Sequence, residues 1–247
     1  MTNYLSRYEF KYIIPQFILP KIENDIVCFG FTRDKTNNDN YYIVSSVYFD
    51  TPILTDYLDT VGGFLKRKKI RARMYGDYNT PHNSNSPVWL EIKEKYDMLT
   101  WKKRVCINHN DWNLLLFSPN EFIQNAIKRF TRKEYDILEN FVFWLTYERR
   151  RPYINIQYKR KAFECFIKEE RIRITLDYEI KAQSTEKLMA YVATDVDKDM
   201  AVMEVKFLKQ LPEQIKFILT KYNLRRDAYS KYENGIKAIR HFYPIPR

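Results

Sequence analysis

The chain has 247 residues, 45% of them hydrophobic and 16% aromatic, which is ample for a packed core and excludes a disordered chain. Lys and Arg number 42 against 31 Asp and Glu, a formal net charge of +11, so the expected partner is an anion: a phosphate-rich molecule, nucleic acid or an acidic membrane surface. Only Gly62 and Gly63 are adjacent among the five glycines, and no GxGxxG or GxxxxGK[ST] occurs; any phosphate has to be held by side chains.

RYEFKYIIP (7–15) alternates as a strand ending at Pro15, and 16–29 carries Ile18, Leu19, Ile22 and Ile26 at helical spacing. RDKTNNDN (33–40) predicts a polar loop and YYIVSSVYFD (41–50) a strand. A short helical piece at 54–60 leads into a basic strand at 66–75, and 77–87 reads as a loop. VWLEIKEK (88–95) and WKKRVCI (101–107) predict a hairpin turning near Asp97. Three-four spacing over 111–146 predicts two or three helices broken near Pro119 and Thr131. Strands return at 151–164, 171–179 and 200–208, followed by helices at 213–222 and 228–242, the last with Tyr229, Tyr232, Ile236 and Ile239 on one face. Strands joined by short turns argue for a largely antiparallel sheet.

Cys28, Cys106 and Cys165 are odd in number and widely spaced, which predicts reduced, mostly buried thiols in a cytoplasmic protein. His82, His109 and His241 are scattered and form no cluster. No stretch reaches the roughly eighteen apolar residues of a membrane span, and the N-terminus has no apolar signal-peptide core. A membrane partner is left open.

The alternation carries the chemistry. In a strand, side chains at every second position share a face. Lys69, Arg71 and Arg73 therefore share one face of their strand, with Ile70, Ala72 and Met74 on the other. Lys11, Lys93, Lys102 with Arg104, Arg160, Arg171 with Arg173, and Lys206 repeat the pattern, joined by single acids at Glu9, Glu91 and Glu204. An ordinary wet sheet face is one reading. Like charges on neighbouring strands repel, however, and so many cations on one face favour a bound polyanion. In a barrel of about eight strands they would line an interior wide enough for a small ligand. The three glutamates are either counter-charges or ligands of Mg²⁺ or Mn²⁺, which prefer carboxylate oxygens and usually take one or two from the protein. Arg and Lys would hold phosphate oxygens.

RYEFKY (7–12), SSVYFDT (45–51), KIRARMYG (69–76), LEIK (90–93), WKKRV (101–105), YKRKAF (158–163), RITLD (173–177), MEVK (203–206) and SKY (230–232) together resemble the VTC-type polyphosphate polymerase domain of the triphosphate tunnel metalloenzymes, the CYTH-like superfamily. The pieces are short but follow the family's order along nearly the whole chain. The resemblance implies an α+β fold: one domain over 1–247, an antiparallel β-barrel tunnel with helices packed outside and a C-terminal helix at the tunnel. It implies phosphate binding and catalysis by Lys11, Arg71, Arg73, Lys93, Lys102, Arg160, Arg173, Lys206 and Lys231. Glu204 becomes the leading metal ligand, with Glu9 and Glu91 in support. Lys69, Arg104, Arg171 and Arg226 become further substrate contacts, Arg226 in place of a family lysine at the position of Ala228. The first strand departs from the family's frequent ExExK, reading EFK at 9–11 with Arg7 before it, and a one-residue phase shift in 101–105 would put Lys103 inside instead of Lys102 and Arg104. The implied reaction is transfer of the γ-phosphoryl group of ATP to a growing inorganic polyphosphate chain, with Mn²⁺ or Mg²⁺ and without nucleic acid. Two alternatives stay open: a triphosphatase using the same residues, and a binding module for polyphosphate or RNA.

Overall fold

The structure is a computed structural model describing residues 8–34, 41–77, 83–97, 99–185 and 193–242. Arg7, most of the loop after Asp34, His82 and the His241 side chain lie outside the described residues. The first strand, β1 (Tyr8–Pro15), ends where Pro15 removes a ladder donor. The next helix, α1 (Leu19–Cys28), starts three residues later than the periodicity predicts. Pro20 fits a helix's first turn, where its missing N–H costs nothing, and a 3-10 turn fills Gln16–Ile18. A two-residue strand, β2 (Thr32–Arg33), occupies the start of the predicted polar loop. Then come β3 (Tyr42–Asp50), α2 (Thr55–Val61), β4 (Lys66–Tyr75), β5 (Pro87–Tyr96) and β6 (Leu99–Asn108). Three helices follow: α3 (His109–Phe117), α4 (Pro119–Ala126) and α5 (Arg132–Thr146). Their breaks have visible causes. Pro119 opens α4, and Thr131 caps α5 through a reciprocal box with Glu134.

The next two strands, β7 (Arg151–Ile167) and β8 (Glu170–Ser184), run longer than their sequence patterns predict. Lys168 and Glu169 join them in a two-residue turn with φ of +49° and +63°, which matches the twist of a tight hairpin. The chain closes with β9 (Thr194–Asp195), β10 (Met200–Phe207), α6 (Glu213–Lys221), β11 (Arg226–Asp227) and α7 (Lys231–Phe242). The fold is α+β, with a large antiparallel sheet and seven α-helices among the described residues. No described helix is long and apolar enough to cross a membrane. The cysteines are unpaired as expected but not buried: Cys28 is exposed, and Cys106 and Cys165 are partly so.

Two compact units divide the chain. The first takes residues up to Ile43, Tyr158–Lys181 and the chain from Thr194 onward. Its strands run in the order β11-β1-β10-β8-β7, with β2 on β7 and β9 on β8. Tyr12, Ile14, Ile172, Ile174, Leu176, Met203 and Val205 share one face and pack under Leu19, Ile22 and Ile26 of α1 and Ile215 and Ile218 of α6. The second unit takes Val44–Gln157 and Ala182–Ala193. Its order is β7-β3-β4-β5-β6, and Phe49, Ile70, Ala72, Leu90, Ile92 and Val105 pack beneath α3, α4 and α5. Edge-on contacts of Phe49 with Trp112 (5.9 Å) and Phe141 (5.5 Å) join sheet to helices. In each unit the helices pack on the apolar face, opposite the face of Lys, Arg and Glu. Neither strand path closes on itself: β11 ends one and β6 the other. The expected barrel is therefore not what the strand pairing forms.

Candidate functional site

Register builds the first cluster. Lys11 of β1 lies opposite Glu204 of β10, and Glu9 opposite Lys206. Across β10, Glu204 faces Thr175 of β8 and Lys206 faces Arg173. The Lys206 ammonium sits 2.8 Å from Glu204 Oε1. Glu9 lies 3.6 Å from Lys11 and 3.9 Å from Lys206. Lys11 also donates to the Tyr229 carbonyl at 2.8 Å, which ties β1 to the residues before α7. That helix opens with Lys231, whose ammonium lies 2.7 Å from Asp177 Oδ2. Arg160 of β7 forks onto the same carboxylate at 2.6 and 2.7 Å. Arg160 and Lys231 both stand over the Tyr158 ring, at 5.1 and 4.9 Å from its centroid.

Glu204 is only 8% exposed. Burial alone would raise its pKa, but Lys206, Lys11, Lys231 and Arg160 outweigh that and hold the carboxyl well below its ordinary range. Asp177 is lowered against burial in the same way, by Arg160 and Lys231. Glu204 in turn raises Lys206. Lys231 is raised as well: burial opposes its charge, and Asp177 prevails. Glu204, Asp177, Lys206 and Lys231 are thus each held toward the charged form by their neighbours.

The second cluster is more one-sided. Arg71 of β4 lies opposite Tyr48 of β3 and Glu91 of β5, and Glu91 lies opposite Arg104 of β6. Arg71 reaches Glu91 Oε2 through Nε at 2.7 Å and Nη2 at 2.6 Å, and donates to the Tyr48 hydroxyl at 2.9 Å. Lys102 of β6 takes Glu91 Oε1. Arg73 is buried and donates to Ser46 Oγ at 3.2 Å. Lys69, Lys93 and Lys102 follow one another in register, three cations in a row. Glu91, 2% exposed, is held far below the ordinary carboxylate range against its burial by Arg71, Arg73 and Lys102. Lys102 shows the cost of this crowding. Burial and the Arg71 charge push its ammonium down to about 7.

The structure thus gathers Glu9, Lys11, Arg160, Arg173, Lys206, Glu204 and Lys231 on one face of the first unit. Arg71, Arg73, Glu91, Lys93, Lys102, Lys69 and Arg104 share one face of the second. Arg104 is exposed and stands 4.7 Å from the Trp89 ring centroid. Arg173 meets Asp34 at 2.8 Å, while Arg171 sits at an exposed strand end, paired with Glu164. Arg226 departs from its expected role. It lies opposite Tyr12, on the apolar face, with its guanidinium 3.9 Å from the Phe10 ring centroid. Sequence reasoning missed Asp177, which shares parity with Arg171 and Arg173, and missed Tyr48, Ser46 and Thr175. The Thr175 hydroxyl is buried on the charged face and, among the described residues, has no hydrogen-bond partner.

The carboxylates differ as candidate metal ligands. Both oxygens of Glu91 and of Asp177 are taken by cations. Glu204 and Glu9 lie diagonally across β1 and β10, an arrangement that suits a hard cation taking one or two protein carboxylates and completing its shell with water and substrate phosphate. Among the described residues no group of three or more His, Cys, Asp or Glu is placed to hold a metal.

The family model of the VTC domain matches residues 6–240, and the chain belongs to that family. No curated protein matches the chain. Among solved structures it is similar to the PH1819 protein of Pyrococcus horikoshii OT3, at 16% identity and a TM-score of 0.47 over 94% of this chain and 98% of that one. It is also similar to a putative adenylate cyclase of Bacillus halodurans, at 9% identity and a TM-score of 0.48 over 91% and 95%. A third is a putative adenylyl cyclase of Hippeastrum, described as having a dominant triphosphatase activity, at 12% identity and a TM-score of 0.47 over 94% and 95%.

Proposed function

We propose that this VTC-domain protein is a cytoplasmic polyphosphate polymerase acting as one functional domain over 1–247. It moves the γ-phosphoryl group of ATP onto the end of an inorganic polyphosphate chain. The observation that carries the reading is the second cluster, where six cations share a strand face around the buried Glu91. Like charges set side by side on neighbouring strands suit a polyanion that bridges them. Arg71, Arg73, Lys69, Lys93, Lys102 and Arg104 bind phosphate oxygens along the chain. In the first unit, Lys11, Arg160, Arg173, Lys206 and Lys231 bind phosphate oxygens and neutralise their charge.

A terminal phosphate oxygen of the polymer attacks the γ-phosphorus. The bond from that phosphorus to the β–γ bridging oxygen breaks, and ADP leaves with the electron pair. The attacking oxygen is already ionised, so no base is needed, and catalysis is positioning plus charge neutralisation. Mn²⁺ or Mg²⁺ on Glu204 and Glu9 would supply further neutralisation of the triphosphate. The test is incubation of the protein with ATP and Mn²⁺, with the products resolved on a gel. A polyphosphate ladder, lost in Arg71→Ala and Glu204→Gln, is expected. Phosphate release without polymer would replace the reading with a triphosphatase. Tight polyphosphate binding without turnover would replace it with a receptor.

A further inference from the structure

A second surface, in the second unit, lies where α2 ends and β4 begins. Residues 61–66 are six consecutive exposed positions. Gly63, at φ +68°, turns the chain there. The turn is built rather than loose. Phe64 N donates to the Asp59 carbonyl at 3.1 Å, and the Leu65 carbonyl accepts from Asp97 N at 3.0 Å. It nonetheless presents Val61 (50% exposed), Phe64 (60%) and Leu65 (62%), and Tyr96 (55%) lies opposite Lys66 in the β4–β5 ladder. A fixed turn that exposes three large apolar side chains in five residues gains nothing from water. Lys66 and Arg67 follow directly, and Asp97 is the exposed acid nearby.

We infer that this turn is a docking tip for an anionic membrane surface. Phe64, Leu65 and Val61 enter the boundary between headgroups and acyl chains. Tyr96 sits at the headgroup level, where an apolar ring with a polar end is favoured. Lys66 and Arg67 meet the lipid phosphates, and the chain's net charge of +11 supports the approach. A second copy of the chain fits less well, because each tip would bring Lys66 and Arg67 against their own counterparts.

The test uses the full chain and sedimentation with vesicles of phosphatidylcholine alone or with 30 mol% phosphatidylserine. The site's own cations bind anionic vesicles too, so the decisive variants keep every charge: Phe64→Ser and Leu65→Ser, separately and together. The double change is expected to lower partitioning onto the anionic vesicles by about tenfold or more, since two buried apolar side chains are lost. Phosphate-polymer binding stays unchanged. In Phe64→Trp, the tryptophan emission is expected to shift to the blue on anionic vesicles beyond the wild-type response. Equal partitioning of the double variant and wild type would overturn the inference. So would a wild-type dimer without vesicles that dissociates in the double variant, which would give the tip to a second copy.

Discussion

Replacing Glu91 by Gln tests whether this carboxylate is a counter-charge or a metal ligand. Glu91 is 2% exposed, with Arg71 on one oxygen and Lys102 on the other. Removing one member of a buried pair costs about 3–5 kcal/mol, because the remaining charges stay desolvated. Lys102 already sits near 7, and it relieves part of the strain by shedding its proton. That places the cost near the lower end, about 3 kcal/mol. For a chain of this size each kcal/mol moves Tm by about 2–4 °C, so a fall of roughly 6–12 °C is expected. The assay is thermal unfolding at pH 7, without divalent metal, with and without tripolyphosphate. Tripolyphosphate should raise the variant's Tm more than that of wild type, because phosphate oxygens replace the lost carboxylate on Arg71. A change below about 2 °C, or a deficit that tripolyphosphate does not narrow, would refute the counter-charge account.

Lys102 sets a pH dependence. Its ammonium is lost as pH rises through about 7, so tripolyphosphate affinity should fall between pH 6 and 8. The side chain is 38% exposed, so water screens part of the effect. Binding should also take up a proton, seen in calorimetry as a buffer-dependent heat; Lys102→Met should lose this component, and a profile identical to wild type would reject it. Thr175→Val should leave Tm unchanged or higher, since an unpartnered buried hydroxyl is removed, yet weaken substrate binding, with Thr175→Ser restoring it. A drop in Tm with unchanged kinetics would make Thr175 purely structural. Arg226→Ala should cost about 0.5–1 kcal/mol from its place over Phe10 and leave tripolyphosphate affinity within about twofold. A tenfold loss of affinity would return Arg226 to the site.

The strands were legible because each alternates with few interruptions. KIRARMYG alone separates Arg71 and Arg73 from Ile70 and Ala72, and the ladder places them as the parity demands. WKKRV was less readable: its adjacent lysines leave the phase open, and the ladder settles it by setting Arg104 opposite Glu91 and Lys102 opposite Lys93. Arg226 was not, because its strand has two residues and parity means nothing over two. Asp177 could have been assigned to the charged face. That it would bind Arg160 and Lys231 depends on contacts between elements far apart in the chain, which no local period encodes. Closure of the sheet was not legible for a related reason. Alternation tells which face a residue takes, but strand neighbours, such as β1 beside β10, are set by distant pairing.

Because core and site alternate along the same strands, their reading frames are the same frame. One extra residue inside β4 would send Arg71 and Arg73 toward α3–α5 and expose Ile70 and Ala72, so the core and the charged face would be lost together. Indels can be absorbed only where pairing pauses, as at the Lys168–Glu169 turn. Point changes, by contrast, can retune the charged positions singly while the buried ones stay fixed. Diversification of the charged face therefore proceeds by substitution at every second residue, and changes of length are a matter for the hairpin ends.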